Sequence, residues 1–326
     1  MPTKLFENPP IYCIDIPLPN NPLRNLNCYV LKSEGETLIV DTGFRLPECE
    51  QALLAGLKEL EVDFSKASLF ITHFHADHCG LVETMLKYGC KVYMGELDYE
   101  LLCVSINAKR LISDFKQEGY PPAELQKQLE VNPAHVYAPF CVFPVEEVEE
   151  GYTLKIGSCA LTTIATPGHT PGHLCLYLAE HEVMFTGDHV LFGISPNISV
   201  FPRFDNPLKE YLASLDKISR YPVKLALTSH RAIGTSITER IEEIKEHHQE
   251  RLDFAHDLIR QFPNLTAYEL ASRFKWKMRG KGWDDFPIQQ KWFAVGETLA
   301  HLNWLLYDGQ IEKWLDGNSY RYRLTE

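Results

Sequence analysis

The sequence predicts an α+β protein with a small C-terminal domain of helices and a hairpin. Short apolar runs of β type alternate with helix-like patterns over most of the chain. Potential metal ligands follow directly after several of these runs. Residues 251–326 instead read as helices followed by two short strands, a pattern typical of winged-helix-like domains. We therefore expect a larger domain over residues 1–250 and a winged-helix-like domain over residues 251–326.

Length, composition and cysteine content narrow the class of protein. A chain of 326 residues is long for one compact domain, and 45% hydrophobic residues support a large core. No apolar run is long enough to span a membrane, and the N-terminal segment lacks the apolar stretch of a signal peptide. The nine cysteines form no CxxC pair, so we interpret them as reduced core residues of a cytoplasmic protein. We expect no membrane partner and leave the oligomeric state open.

The first elements are a hairpin and an amphipathic helix. Residues 28–31 and 37–40 have β-like composition and are joined by a polar, glycine-containing turn. The second run ends in Asp41, which is either a turn-forming residue or a support for nearby ligands. Residues 46–60 then have the apolar spacing of a helix that is buried on one side.

A ligand-rich segment follows the apolar run at residues 68–71. It reads Thr72-His73-Phe74-His75-Ala76-Asp77-His78. Histidines two positions apart cannot share a helix face, but on a loop they can converge on one cation. Asp77 and His78 can serve a second cation, since imidazole and carboxylate both bind borderline divalent metals. A helix is predicted over residues 81–87.

Further candidate ligands follow the ends of downstream strands. These strands are predicted over residues 91–94, 152–156, 160–165, 174–178, 183–186 and 223–228. A loop rich in Pro-Gly presents His169 and His173, and later strands end just before Asp188 and His230. Because each candidate follows a strand end, we expect the loops to form one site at one edge of the sheets.

Two helical segments complete the predicted elements. Residues 98–131 interrupt the β-rich region with helix-like patterns. This insertion either walls the substrate pocket as a lid or only decorates the surface. Towards the C-terminus, capping-box sequences at Ser236 and Thr266 predict helix starts. A helix is expected over residues 288–307, and short strands flank a turn at residues 316–318.

The motifs resemble those of the metallo-β-lactamase superfamily over about residues 11–250. They are His73-x-His75-x-Asp77-His78, Pro167-Gly168-His169, Thr186-Gly187-Asp188 and Ser229-His230. The resemblance implies an αββα sandwich with a dinuclear metal centre between the sheet edges. With its C-terminal winged-helix-like segment, the chain looks most similar to the β-lactamase-like protein 2 and glyoxalase II-like branch.

The resemblance also implies a role for each ligand. It assigns six side chains to two ions, namely His73, His75 and His169 to one, and Asp77, His78 and His230 to the other. Asp188 would bridge the ions, and Asp41 would support the ligands from behind. His173 adjoins a ligand and is interpreted as a supporting or packing residue. His247 and Arg251 match site positions of the similar branch, or else lie on a solvated helix face.

The resemblance implies a hydrolase that uses a bridging hydroxide on a small acyl substrate, such as a thioester, lactone or ester. A metal pair can lower the pKa of a shared water from about 15.7 towards about 7. Asp77, which would face the leaving group, could move a proton as the catalytic side chain. No Gly-x-Ser-x-Gly elbow and no cysteine in a triad context is found. Zinc is the expected metal, with iron and manganese as alternatives.

Other functions stay open at this stage. A metal-dependent endoribonuclease or phosphodiesterase fits the basic residues near Trp276 and Trp283, which otherwise form a solvated loop. These basic residues are Arg273, Lys275, Lys277, Arg279 and Lys281. Residues 1–250 contain 34 of the 44 acidic but only 21 of the 32 basic residues, which disfavours a nucleic-acid partner. An iron-dependent oxidoreductase and a binding protein with an inactive hydrolase domain are further alternatives.

Overall fold

The computed structural model describes residues 1–105, 115–139, 142–276 and 282–326. The strands are β1 (Thr3–Phe6), β2 (Ile11–Pro17), β3 (Asn25–Ser33), β4 (Glu36–Val40), β5 (Ala67–Ile71), β6 (Lys91–Gly95), β7 (Glu146–Val148), β8 (Thr153–Ile156), β9 (Cys159–Ala165), β10 (Leu174–Leu178), β11 (Val183–Gly187), β12 (Leu225–Thr228), β13 (Ile311–Asp316) and β14 (Ser319–Leu324). The helices are α1 (Pro47–Glu59), α2 (Ala76–Cys79), α3 (Val82–Lys87), α4 (Glu96–Ser105), α5 (Pro122–Val131), α6 (Pro133–Val136), α7 (Pro207–Ile218), α8 (Ile237–Gln261), α9 (Ala267–Ala271) and α10 (Ile288–Tyr307). Within the described ranges, no helix combines the length and apolar character that a bilayer crossing requires.

Two mixed sheets form the centre of the molecule. The first contains β1 to β7 in sequence order, antiparallel as far as β4 and parallel from β4 to β7. The second has the order β12-β11-β10-β9-β8, and only its β11–β12 pair is parallel. Val40 and Phe70 of the first sheet share one buried apolar cluster with Leu176 and Phe185 of the second. One apolar core therefore lies between the two sheets.

Helices cover the outer face of each sheet. On the first sheet, Leu53 of α1 and Met85 of α3 belong to the same buried cluster as Ile39. On the second sheet, Leu215 of α7 and Ile244 of α8 belong to a cluster that also contains strand residues. The predicted α+β class is confirmed, and the layers follow the order helices, sheet, sheet, helices.

The insertion predicted at residues 98–131 packs against the C-terminal part of the chain. Helix α4 covers its beginning and α5 its end, while residues 106–114 lie outside the described residues. The Phe115 ring stacks on Trp292 with centroids 3.9 Å apart and planes 9° apart. Lys291 pairs with Glu124 at 3.0 Å. These contacts join the insertion to α10, whereas its role towards substrate stays a prediction.

The chain ends in the expected hairpin. Strands β13 and β14 pair in antiparallel register, and Gly317 between them has φ 61°, which a glycine adopts without strain. Helix α8 runs through the predicted boundary at residue 250. Its Leu258 shares a buried cluster with Leu302 of α10. The winged-helix classification and the domain boundary stay predictions.

Several elements differ from the sequence-based expectation. Strands β1, β2 and β7 and helix α7 were not predicted. The capping box at Thr266 is confirmed, because its hydroxyl accepts from the Glu269 N–H and the Glu269 carboxylate accepts from the Thr266 N–H. The helix start predicted at Ser236 is confirmed, because α8 begins at Ile237, but the predicted capping box does not form. The backbone of Ser236 (φ −103°, ψ 67°) is not extended, and its side chain caps no N–H group.

Removing the Phe115 ring tests the packing between the insertion and α10. Phe115 is 1% exposed, and the change Phe115→Ala leaves a cavity beside Trp292. We expect the free energy of unfolding to fall by about 3–5 kcal/mol. Urea denaturation followed by circular dichroism measures this change.

The matched control removes an aromatic ring from the surface of α10, the helix against which Phe115 packs. Tyr307 is 69% exposed and contacts the Lys209 ammonium group, so Tyr307→Ala should cost less than about 1 kcal/mol. An equally small loss for Phe115→Ala would contradict the proposed packing role of the insertion.

Candidate metal centre

All seven side chains predicted as ligands lie together where loops leave the sheets. These residues are His73, His75, Asp77, His78, His169, Asp188 and His230. The loops follow β5, β9, β11 and β12, and each delivers its side chains just beyond a strand end. The structure thus brings together residues that are up to 157 positions apart in the sequence.

Three imidazole rings form the first group. The Nδ1 atom of His75 lies 3.0 Å from Nε2 of His73 and 3.0 Å from Nε2 of His169. All three rings are buried or nearly so. Nitrogen lone pairs at this spacing repel one another unless a cation or a proton lies between them. The group is therefore suited to one divalent ion.

Asp188 lies between this group and a second one. Its Oδ2 atom is 3.6 Å from Nε2 of His169, and its Oδ1 atom is 3.7 Å from Nε2 of His78 and 3.5 Å from Nε2 of His230. Asp77 closes the second group, with Oδ2 3.4 Å from Nε2 of His230. One carboxylate thus faces both groups of nitrogen atoms.

Asp41 supports the second group from behind. Its Oδ2 atom is 2.7 Å from Nδ1 of His78, so Nδ1 of this ring donates to the carboxylate, and Nε2 faces Asp77 and Asp188. Its carboxylate also accepts from the backbone N–H and the hydroxyl of Thr72, both over 2.8 Å. The backbone of Asp41 has φ 60°, a conformation that aspartate tolerates better than most residues.

Two other histidines are oriented by backbone carbonyl groups. Nδ1 of His169 donates to the Asn197 carbonyl over 2.7 Å, and Nδ1 of His230 donates to the Asn25 carbonyl over 2.8 Å. Neither support was predicted from the sequence. Any residue type can offer a carbonyl oxygen, so neither position has a signal in the sequence.

His173 supports Asp188 and is not part of either group. Its Nδ1 atom is 2.7 Å from the Thr166 hydroxyl, and its Nε2 atom accepts from the Asp188 N–H over 3.2 Å. This close approach requires Gly187, since a Cβ atom at that position would lie 2.5 Å from Nε2 of His173. The ring therefore fixes the backbone that presents the Asp188 carboxylate.

The two ligand groups differ in their electrostatic environment. Burial, together with neighbouring imidazoles, lowers the pKa of His73 and His75 well below the usual value. Burial also lowers the pKa of His78, but three surrounding carboxylates, Asp41 first among them, outweigh it and raise this pKa to about 9. The potential around His78 is therefore negative and favours a bound cation.

Three buried atoms of the site have no hydrogen-bond partner among the described residues. They are Nε2 of His78, Nε2 of His230 and Oδ1 of Asp188. Buried polar atoms are nearly always paired, so these three atoms indicate an absent partner. Imidazole nitrogen and carboxylate oxygen together suit zinc, iron and manganese alike. The residues thus fit a dinuclear metal centre and do not select one metal.

A polar network joins the C-terminal part of the chain to His169. The Asn197 amide group donates to the Glu297 carboxylate over 3.2 Å, and Glu297 pairs with Arg251 at 2.8 Å. The Arg251 guanidinium lies 4.3 Å from the Trp276 ring centroid. Arg251 is thus mostly buried beside the site and does not belong to a solvated helix face.

Family models match two parts of the chain. One described as "Metallo-beta-lactamase superfamily" matches residues 22–230, which include all seven side chains. A second, described as "Metallo-beta-lactamase-like, C-terminal domain", matches residues 284–325. The first match covers more than half of the chain.

Individual proteins agree with these matches. A solved metallo-β-lactamase family protein from Thermus thermophilus is 29% identical, with a TM-score of 0.80 over 97% of this chain and 98% of its own. The β-lactamase-like protein 2 homolog of Caenorhabditis elegans is 24% identical over 91% of this chain and 86% of its own length. An atrochrysone carboxyl ACP thioesterase of Aspergillus fumigatus is 23% identical over 70% of this chain and 58% of its own length.

Removing the central carboxylate tests the dinuclear arrangement. We expect the purified protein to contain about two transition-metal ions per chain, and Asp188→Ala to contain one or fewer, because Asp188 faces both groups. Metal analysis by mass spectrometry after gel filtration gives the stoichiometry. The control Asp216→Ala removes a carboxylate that pairs with Lys245 and belongs to neither ligand group. This variant should keep both ions. Two ions retained in Asp188→Ala would refute the bridging role.

Proposed function

The chain belongs to the metallo-β-lactamase superfamily, and we propose that it is a dinuclear metal-dependent hydrolase of a small acyl substrate. The substrate would be a thioester, a lactone or an ester. The observation that carries the proposal is the position of Asp188, whose two oxygen atoms face both ligand groups. The three histidines His73, His75 and His169 would hold one ion, and Asp77, His78 and His230 the other.

Water is the proposed nucleophile. Two divalent ions bound by these residues would lower the pKa of a water molecule and polarise the bond to be cleaved. Cys79 follows the ligand loop directly, but its thiol donates to the Phe74 carbonyl, and burial raises its pKa well above the usual value. A buried thiol of this kind is a poor nucleophile.

We assign proton transfer to Asp77. Its side chain is 13% exposed, whereas those of its neighbours His78 and His230 are fully buried, so Asp77 faces the open side of the centre. Its carboxylate can accept the proton that the attacking water loses and then donate it to the departing thiolate or alkoxide. Asp41 and His173 act only by holding His78 and the Asp188 backbone in place.

Charge and packing favour a small acyl compound over a polyanion. Residues 1–250 carry a large acidic excess, which repels nucleic acid. Arg273 donates to the Glu269 carbonyl and lies 5.2 Å from the Phe262 ring, and the Lys275 ammonium lies 5.8 Å from the Phe254 ring. Lys277, Arg279 and Lys281 lie outside the described residues. The thioesterase relative supports the same substrate class.

We also propose that residues 1–250 form the catalytic domain and residues 251–326 a winged-helix-like domain that shapes the pocket. The closing hairpin and the C-terminal family match support this division. The proposed metal is zinc, and the proposed partner is a small molecule. A nucleic-acid partner is not favoured, and no membrane partner is expected.

A substrate panel tests the proposal. The protein, with its metal content measured, is assayed on an acyl thioester, a lactone, an ester, a phosphodiester and single-stranded RNA. Oxygen consumption is followed in parallel, because an iron-dependent oxidoreductase would consume it. The proposal is supported if one acyl compound is turned over fastest. It is contradicted if the phosphodiester or RNA is cleaved fastest, or if oxygen consumption is the fastest reaction.

The basic residues of the C-terminal part separate the two hydrolytic activities. We expect the double change Arg273→Ser and Lys275→Ser to alter kcat/KM for the best acyl substrate less than about twofold at low and at high salt. Both side chains lie near aromatic rings, and neither belongs to a ligand group. If the substrate were RNA, each lost phosphate contact would weaken binding and reduce its salt dependence.

The control for this experiment is Asp77→Asn, which should reduce acyl hydrolysis at least about 100-fold. RNA cleavage that is lost in the double variant and at high salt would overturn the acyl assignment.

A further inference from the structure

Asp98 lies at the beginning of α4, in the segment that the sequence predicted as a helical insertion. Its side chain is completely buried. Oδ1 accepts from the backbone N–H of Gly172 over 2.6 Å, and Oδ2 accepts from the N–H of Phe74 over 3.0 Å and from the Thr170 hydroxyl over 2.7 Å. One carboxylate thus holds two separate loops, and both loops carry proposed metal ligands.

The neighbours of these donors show which ligands depend on Asp98. Phe74 stands between His73 and His75, and Thr170 directly follows His169. These three histidines form the first group of the centre. The hydrogen bonds of Asp98 go to these two loops, whereas the His78 ring is held by Asp41 and the His230 ring by the Asn25 carbonyl.

Burying this carboxylate is costly. Burial raises the pKa of Asp98 to about 7, although the hydrogen bonds from Thr170, Gly172 and Phe74 oppose this rise. Within the described residues, no Lys, Arg or His forms an ion pair with Asp98, so its charge is stabilised by these three donors. Because burying a carboxylate with only backbone and hydroxyl partners is costly, its presence here indicates that these hydrogen bonds have a structural role.

We propose that Asp98 is a positioning residue that sets the separation of the two loops, and thereby the affinity of the three-histidine group for its ion. Apart from the contact between the His75 and His169 rings, a backbone hydrogen bond also joins the loops, from the N–H of Leu174 to the Thr72 carbonyl over 3.0 Å. That bond lies at the base of both loops, whereas Asp98 bonds to Phe74 and Thr170, which are directly adjacent to ligands in the sequence. The proposal rests on the metal centre and is independent of the substrate class.

Two backgrounds allow each group to be measured alone. His230→Ala leaves the three-histidine group complete, and His169→Ala leaves Asp77, His78 and His230. In each background we add Asp98→Ala and measure Zn²⁺ affinity by competition with a fluorescent chelator. Loss of Asp98 should weaken zinc binding about 10- to 100-fold in the His230→Ala background and less than about threefold in the His169→Ala background.

A graded series guards against misfolding of the alanine variant. In Asp98→Asn the amide oxygen can still accept from two of the three donors, so its effect should have the same site preference and a smaller size. Thr170→Val removes one donor and should behave similarly. Circular dichroism and urea denaturation of the metal-free proteins report whether each variant folds.

The Asp98→Ala variant without any histidine substitution provides an independent measurement. After dialysis against a moderate chelator, Asp98→Ala should keep about one zinc ion where the parent keeps two. Equal weakening of zinc binding in both backgrounds, or no weakening in either, overturns the role of Asp98. The role is also overturned if the Asp98→Ala single variant loses both ions or neither. A parent protein that binds no metal would instead refute the metal centre itself.

Discussion

The centre depends on the hydrogen bonds that the outer nitrogen atoms of its histidines make with the rest of the fold. His78 donates to the Asp41 carboxylate, His169 to the Asn197 carbonyl and His230 to the Asn25 carbonyl. Each acceptor keeps the ring proton outside, so that the inner nitrogen offers its lone pair to an ion. These acceptors come from the end of β4, from the segment after β11 and from β3. The two sheets must therefore pack in register before the ligand set exists.

Metal binding and folding are coupled by the same arrangement. Asp41, Asp98 and Asp188 are buried carboxylates, and burial of unpaired charge opposes folding. For Asp41 and Asp98, hydrogen bonds from the ligand loops offset the cost of burying the charge. Asp188 retains one oxygen without such a partner among the described residues. A divalent ion that binds only the folded chain would stabilise it at this carboxylate, and its removal would expose the electrostatic cost.

The sequence predicted the elements whose signals are local. Apolar runs of residues 68–71 and 174–178 became strands, and the His-rich loop lies where a strand-to-helix turn was expected. Helix α7 was missed although Asn206 and Pro207 form a recognisable start. The supports of His169 and His230 at Asn197 and Asn25 could not be predicted, because these residues act through their backbone carbonyl groups. The failed cap at Ser236 shows that a matching tetrapeptide does not fix the backbone angles that capping needs.

Long-range packing explains why the insertion and the C-terminal part could not be placed from sequence. Their contacts, such as the Phe115–Trp292 stack, join segments that are separated by more than half of the chain. The C-terminal part then reaches the centre through Arg251, Glu297 and the Asn197 side chain, whose own carbonyl orients His169. A shift of α8 against α10 would move this carbonyl and with it the ring. The C-terminal helices are thus connected to His169 by an ion pair and hydrogen bonds, although none of their described residues belongs to either ligand group.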